Sequence, residues 1–510
     1  MLHVSLFVEG LRSRPRLMFW LATLLQAAIW WLLPSLFYSA PPGAVPEVLA
    51  VGHELQLGTD LGPPLAFWLA EAVYDVFGIV GVYLLSQACV VVTYWAVFTL
   101  GRSIVGAQHA AMAVLLMVGI MVMTVPSPDF GPPMLGMPLS ALAVLHCWRA
   151  IGEKQRHYWF VFALDVGLLL LTTYAGLILF ACVLVFLWAT ERGRAALQTV
   201  EPWFAAIVVA VLLFPHLIWL DIAGRAVFAP VWERLLSSDA AATNWIAWAR
   251  LIAAILVTHA GMLVLVGLAV GWRPKSREGM PTFARRAIDP FARQYVLFLA
   301  LAPVFAASLI AAIAGEPSPA GGIAPYVTLS GLAAVVVAGD AIVIQRQRIV
   351  ALAWLLLLLM PPAITVIAIA VVPWTLGVEL RTAQPAREIG RFFGETFERR
   401  TGRPLAIVTG DPRLASLVAF AAPSRPSLFD YATPARTPWV TPEDIARKGL
   451  VVVWQANDTG GAPPADIRAR FPGLIAEVPR AFDHAIQGRL PLARLGWGML
   501  RPQQETPPPR

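Results

Sequence analysis

Apolar runs separated by short polar breaks fill the first 375 residues. The first covers residues 17–37 and the second 79–99. Others follow at 107–125, 134–148, 158–172, 174–190, 203–221, 247–271, 294–314, 326–345 and 350–373. A helix crosses a hydrocarbon core with about twenty such residues, so the pattern predicts about eleven transmembrane helices. The runs at 134–148 and 158–172 sit near the lower length limit. The first run continues through Trp30, Trp31 and Leu33 with no small-residue cleavage site, and reads as a span rather than a cleaved leader.

Between the first two runs the pattern changes period. Residues 52–72, GHELQLGTDLGPPLAFWLAEA, are too polar for a span and too apolar for a water-facing loop. Pro63 and Pro64 lack amide donors and push Gly62 from helical geometry, so they predict a hinge between two amphipathic helices within 44–78. In the first, Val48, Leu49, Val51, Leu55 and Leu57 are the apolar face, with Glu47, His53 and Glu54 turned elsewhere. In the second, Leu65, Phe67, Trp68, Leu69, Val73 and Phe77 oppose Glu71 and Asp75. Helices of this kind lie along a membrane surface.

After Trp374 the apolar runs end. Residues 376–510 are charged and Pro-rich and predict a separate soluble α/β domain after a membrane domain over 1–375. AREIGRFFGETFERR puts Ile389, Phe392, Phe393 and Phe397 on one helical face. PLAIVTG and GLVVVWQ read as buried strands, and Asp411 as the N-cap of a helix over PRLASLVAFAA. This alternation predicts a small, partly parallel sheet, and the tail QQETPPPR reads as disordered.

Composition agrees with the pattern. The chain is 58% hydrophobic and 14% charged, with mean hydropathy +0.69; a soluble protein carries about a quarter charged residues. The net charge of +7 follows topology. Arg12, Arg14 and Arg16 precede the first run, and Arg102, Arg149, Arg192, Arg273 and Arg346 head the basic clusters after every second run. The alternate loops 38–65, 125–133 and 315–325 hold no Lys or Arg. This bias puts the N-terminus in the cytoplasm and, after eleven spans, the C-terminal domain outside. The basic balance is therefore no sign of a nucleic-acid partner. Cys89, Cys147 and Cys182 all lie in predicted spans, with no disulfide framework. No phosphate-binding glycine loop, nucleophile elbow or metal-ligand spacing occurs. No cofactor is evident, and a need for a divalent metal stays open.

The order of one span, a loop reading P-x-x-E…G-x-E-x-Q-L-G-x-D-x-x-P-P-L-x-x-W-L and many further spans resembles the C superfamily of membrane glycosyltransferases. The branch it resembles is the bacterial one related to protein O-mannosyltransferases and to the transferase that adds aminoarabinose to lipid A. MPLSALAVLHCWRAI, LLLLTTYAGLILF, PWFAAIVVAVLLFPHLIWL and VTGDPRLASLVAFAAPSRPS extend the resemblance over most of the chain. It implies an inverting transfer of a sugar from a polyprenyl-phosphate donor to an envelope lipid, glycan or protein acceptor. The expected setting is the periplasmic side of a bacterial inner membrane, among its lipids.

The same resemblance implies an Asp three residues before Glu47, a Lys before Pro63-Pro64-Leu65 and a Lys-Tyr at the sixth run. This chain has Ala44, Leu61-Gly62 and Thr173-Tyr174 instead. The acids left to act as base are Glu47, Asp60 and Asp129, although Asp60 and Asp129 also suit turns. His53, Glu54, Tyr174 and His216 are candidate head-group contacts, and Arg225, Arg234 and Arg381 candidate phosphate-holding cations. Asp165 and Asp340 fall within predicted spans, where an ionisable group is a functional candidate or a snorkelling one. Two other classes compete: a non-catalytic relative that binds a lipid-linked carrier or partner enzyme, and, with least support, a transporter.

Overall fold

The computed structural model describes residues 9–125, 128–224, 240–270, 286–314, 322–338, 347–375, 380–456, 461–483 and 492–503. They form two compact units. The first comprises residues 1–32, 61–66 and 83–363, and the second 33–60, 67–82 and 364–510. Arg225, Arg234, Asp340 and most of the C-terminal tail lie outside the described residues.

The first unit is helical. The predicted runs correspond to α1 (Pro15–Phe37), α3 (Leu65–Ile104), α4 (Ala107–Met117), α5 (Pro132–Ile151), α6 (Tyr158–Leu170), α7 (Ala175–Ala189), α9 (Glu201–Trp219), α10 (Ala240–Val270), α11 (Pro290–Ala314), α12 (Ser330–Ala338) and α13 (Gln347–Thr375). Among the described residues seven are long and apolar enough to span; α7 followed by α8 (Glu191–Leu197), bent by 100°, makes an eighth candidate. The runs at 107–125 and 158–172 give helices too short to span alone, and the run at 326–345 extends beyond the described residues. At 107–125 the helix stops at Met117 and a 3-10 turn takes over at Met121–Met123.

Helix α5 is the centre of this unit, with 89% of its apolar window buried, against 22% for α9 and 17% for α13. The outer helices leave Phe204, Ile207, Val211 and Phe214 exposed, as lipid-facing positions require. Two buried polar groups inside find partners on α5. Tyr295 donates to the Val144 carbonyl at 2.6 Å, and Asp165 is buried against His146 Nδ1 at 2.5 Å. Asp165 thus has a partner from the neighbouring α5.

In the second unit a six-stranded sheet runs β2-β1-β3-β6-β4, with β5 beside β6. β1 (Ile407–Gly410) is parallel to β2 (Ser427–Leu428) and to β3 (Leu450–Gln455). β6 (Ala493–Leu500) is antiparallel to β3, β4 (Ile475–Ala476) and β5 (Arg480–Phe482). β3 shows why its sequence is apolar throughout. Its side chains alternate between faces. Val451 and Val453 join one core with α14 (Ala386–Thr401) and α15 (Pro412–Ala421), while Leu450, Val452 and Trp454 join the other with Phe429 and Phe471. Ile389, Phe393 and Phe397 are buried as the helical period requires, and Asp411 caps α15 by accepting from Arg413 N and Leu414 N.

The first loop belongs largely to this unit. Its first helix is α2, Val45–Gly52. The second begins at Leu65, and the chain breaks from helical geometry at Gly78 (φ 65°, ψ −165°) before continuing to Ile104. A positive φ favours glycine, so Gly78 marks where the amphipathic piece ends and the long apolar run begins. The two pieces are separate, as the Gly-Pro-Pro sequence predicts. Two details of the predicted faces are corrected. Leu55 and Leu57 lie beyond the end of α2 and are exposed, Leu55 at 65%. Glu71 is not on a polar outer face but buried, because it meets an arginine from the C-terminal region.

Candidate functional site

The acids of the first loop sit in the second unit, where the C-terminal residues supply their partners. Ala44 occupies the N-cap of α2 and Glu47 its third position, so the two are one turn apart. Ala44 is exposed and has no side chain to cap the helix; Glu47 is partly buried. Burial raises the Glu47 pKa, against the pull of Arg436. Among the described residues Glu47 makes no salt bridge.

Asp60 is differently placed. The Arg436 guanidinium binds it through Nε and binds Asp430 through Nη1 at 3.0 Å. One cation thus serves two carboxylates, and Glu47 feels all three charges. Asp60 remains raised by desolvation, with Arg436 opposing. Asp430 also accepts from the Ala432 and Thr433 amides, which fixes the turn carrying Arg436. Nothing in the spacing of LFDYATPARTPW points to this cluster; only the fold brings Arg436 to a residue 376 positions earlier.

His53 and Glu54 follow the end of α2. His53 Nδ1 lies 2.9 Å from Glu71, which accepts two further bonds from Arg425 Nη2 at 2.6 and 2.8 Å. Glu54 is raised by burial, which a hydrogen bond from Ser427 partly offsets. Arg381 lies on a 3-10 turn and lines, with Glu47 and Arg413, a cleft of about 100 Å³. The structure therefore gathers Glu47, Asp60, His53, Glu54 and Arg381 in one unit.

Tyr174, His216 and Asp129 belong to the first unit. Tyr174 OH lies 3.2 Å from His216 Nε2, and the His216 ring stacks on Trp219. Two positions picked separately from the sequence are hydrogen-bonded neighbours. Asp129 lies just before Phe130 and Gly131, at the start of α5, and is partly exposed.

The fold defines a polytopic, mostly helical membrane protein with an α/β region at its C-terminus. Residues 62–219 match the family model of the dolichyl-phosphate-mannose-protein mannosyltransferases. The match covers under half of the chain. No curated protein matches the chain. Among solved structures, ArnT from Cupriavidus metallidurans bound to undecaprenyl phosphate is 11% identical with a TM-score of 0.42, the similarity covering 94% of this chain and 97% of that one. The Archaeoglobus fulgidus oligosaccharyltransferase in its apo form is 12% identical with a TM-score of 0.41, over 79% of this chain and 64% of that one.

Proposed function

We propose that the protein transfers a sugar from a polyprenyl-phosphate donor to a lipid, glycan or protein acceptor at the outer face of a bacterial inner membrane. The donor class is supported by the family matched at 62–219, whose name specifies a lipid-phosphate-linked sugar. The observation that carries a catalytic reading is the state of Glu47. It makes no salt bridge among the described residues and its pKa is raised by burial, while Asp60 is engaged by Arg436.

Glu47 takes the acceptor hydroxyl proton as that oxygen attacks the anomeric carbon. The bond from that carbon to the phosphate oxygen breaks, and the polyprenyl phosphate leaves with the electron pair. Attack opposite the leaving group inverts the anomeric centre. A raised pKa makes Glu47 a stronger base than an exposed carboxylate once it is ionised. Arg436 keeps Asp60 and Asp430 from adding two unbalanced negative charges beside it.

Loss of a general base costs a factor of about 100 to 10,000 in rate. Glu47→Gln is expected to abolish detectable transfer from lipid-linked sugar in membranes while expression and outer exposure stay unchanged. Transfer that survives the amide at Glu47, Asp60 and Asp129 in turn sinks the site. A second reading, a carrier-binding relative without catalysis, is favoured by one observation: the position of the usual base is Ala44. Carrier binding without transfer from any lipid-linked sugar selects it.

A further inference from the structure

Helix α2 carries Glu47 but cannot set its own place. It has eight residues, too few to be stable alone, and its N-cap Ala44 has no side chain to cap it. Its seat comes from outside. Along one side Ala50 joins the sheet core with Ile389, Leu417 and Val451. At its C-terminal end the Arg425 guanidinium donates to the Leu49 carbonyl at 3.2 Å, where a cation also suits the helix dipole. That guanidinium is itself held from two other elements' side chains: both oxygens of the buried Glu71, at 2.6 and 2.8 Å, and the Tyr74 ring, at 4.8 Å. His53, the residue next after α2, meets the same carboxylate through Nδ1. All of these residues lie in the second unit, and the proton-transfer step uses none of them.

We infer that Arg425 is a positioning residue for Glu47: clamped by Glu71 and Tyr74, it fixes the rotation of α2 and so the place of the Glu47 carboxylate. Glu47 and Leu49 are two residues apart, about 3 Å along the helix axis and about 200° around it. A turn of α2 that frees the Leu49 carbonyl therefore swings Glu47 through the same angle. For a carboxylate about 6 Å from the axis, a turn of about 10° moves it about 1 Å. A misplacement of that size costs up to about a hundredfold in rate. The same turn changes how far Glu47 is withdrawn from water beside the Arg381 turn and the first turn of α15. Charge is not the route. The groups whose charges act on Glu47 are Arg436, Asp60 and Asp430, with Arg381 and Arg413 lining the same cleft; Arg425 is not among them.

The role rests on Glu47 as the base of the proposed transfer, yet it can be tested without turnover. In full-length protein in nanodiscs, the carboxyl absorption of Glu47 is isolated as an infrared difference against Glu47→Gln in the same background, and followed with pH below each variant's thermal midpoint. Wild-type Glu47 should keep its proton above the ordinary carboxylate range, as its burial requires. Arg425→Ala combined with Glu71→Gln removes the donor to Leu49 without stranding a buried charge. In that double variant the titration of Glu47 should fall toward the ordinary range, and kcat for transfer should drop roughly ten- to hundredfold with KM unchanged. Arg425→Lys should lie between, because one ammonium cannot keep the planar fork's bonds to carboxylate and carbonyl together. Ile467→Ala, in the other core of the sheet, should lower the thermal midpoint and move neither the titration nor kcat. A Glu47 titration unchanged in the double variant overturns the role, and so does a shift of equal size in Ile467→Ala. If wild type transfers no sugar while its Glu47 titration moves as stated, the transferase reading falls and the positioning of Glu47 by Arg425 stands.

Discussion

Arg425→Ala is the perturbation whose cost the structure specifies best. Arg425 is 15% exposed at its side chain and Glu71 5%, with the Nη2–carboxylate contact at 2.6 Å. The same guanidinium donates to the Leu49 carbonyl at 3.2 Å and lies 4.8 Å from the centre of the Tyr74 ring. It thereby joins α2 and the amphipathic piece at 65–77 to the loop after α15. Removing one member of a buried pair leaves the other charge uncompensated, at a cost of about 3–5 kcal/mol. His53, 45% exposed, is the remaining partner of Glu71 and replaces little of that. Arg425 also has a left-handed φ of 48°, but alanine keeps that strain, so the difference reports the lost contacts.

For a unit of 150–250 residues each kcal/mol lowers the midpoint by about 2–4 °C, so a fall of about 6–20 °C is expected. Thermal unfolding of the purified full-length protein, followed by tryptophan fluorescence, measures it. Adding Glu71→Gln removes the stranded charge and should recover part of the loss. The reasoning is refuted if Arg425→Ala leaves the midpoint within a degree of wild type, or if Glu71→Gln makes that variant worse.

Three further outcomes follow from the same geometry. A Cβ at Gly52 would lie 2.5 Å from the Phe67 carbonyl oxygen and 3.2 Å from Glu71 Cβ, so Gly52→Ala should cost about 1–3 kcal/mol of overpacking; an unchanged midpoint in the same assay contradicts the close approach. The pKa of Glu47 is raised from 4.5 by burial, so its stabilising contribution is present below 4.5 and lost as pH rises through the raised value. Glu47→Gln should therefore gain stability relative to wild type on going from pH 4 to neutral, while wild-type transfer rises over that limb; a pH-independent difference removes the assignment. A reporter active only in the cytoplasm, fused after Arg510, should be silent if the C-terminal region is outside; activity there reverses the topology.

How much was legible depends on how local each signal is. Amphipathic period and capping are local. They therefore placed α14 through Ile389, Phe393 and Phe397, α15 through Asp411, and the break before α3 through Pro63 and Pro64. Apolar length is local too, but it cannot show where a helix stops inside an apolar run, so 107–125 read as one span although α4 ends at Met117. Burial of charge is not local at all. Glu71 sits one helical turn from Phe67 and Trp68, and its charge alone makes it read as solvated. Its partner Arg425 is 354 residues away and lies in a turn that no period marks.

The site divides along the same line. Glu47, Asp60 and Arg381 could be chosen because acids and cations are scarce in the loops of such a chain, but scarcity does not rank them. Ranking needs the pairing, and the pairing comes from Arg436. A guanidinium shared by Asp60 and Asp430 engages an oxygen of each, which leaves them less free to meet a substrate proton. Glu47 feels the same cation only at longer range and carries the desolvation itself. Its proton affinity is raised by burial, and no salt bridge holds it among the described residues. Those are the two properties a base needs at neutral pH. An Asp at Ala44 would sit on the exposed N-cap, one turn before the more buried Glu47. On that argument Ala44→Asp does not restore a missing base; it adds a second carboxylate that competes with Glu47 for Arg436.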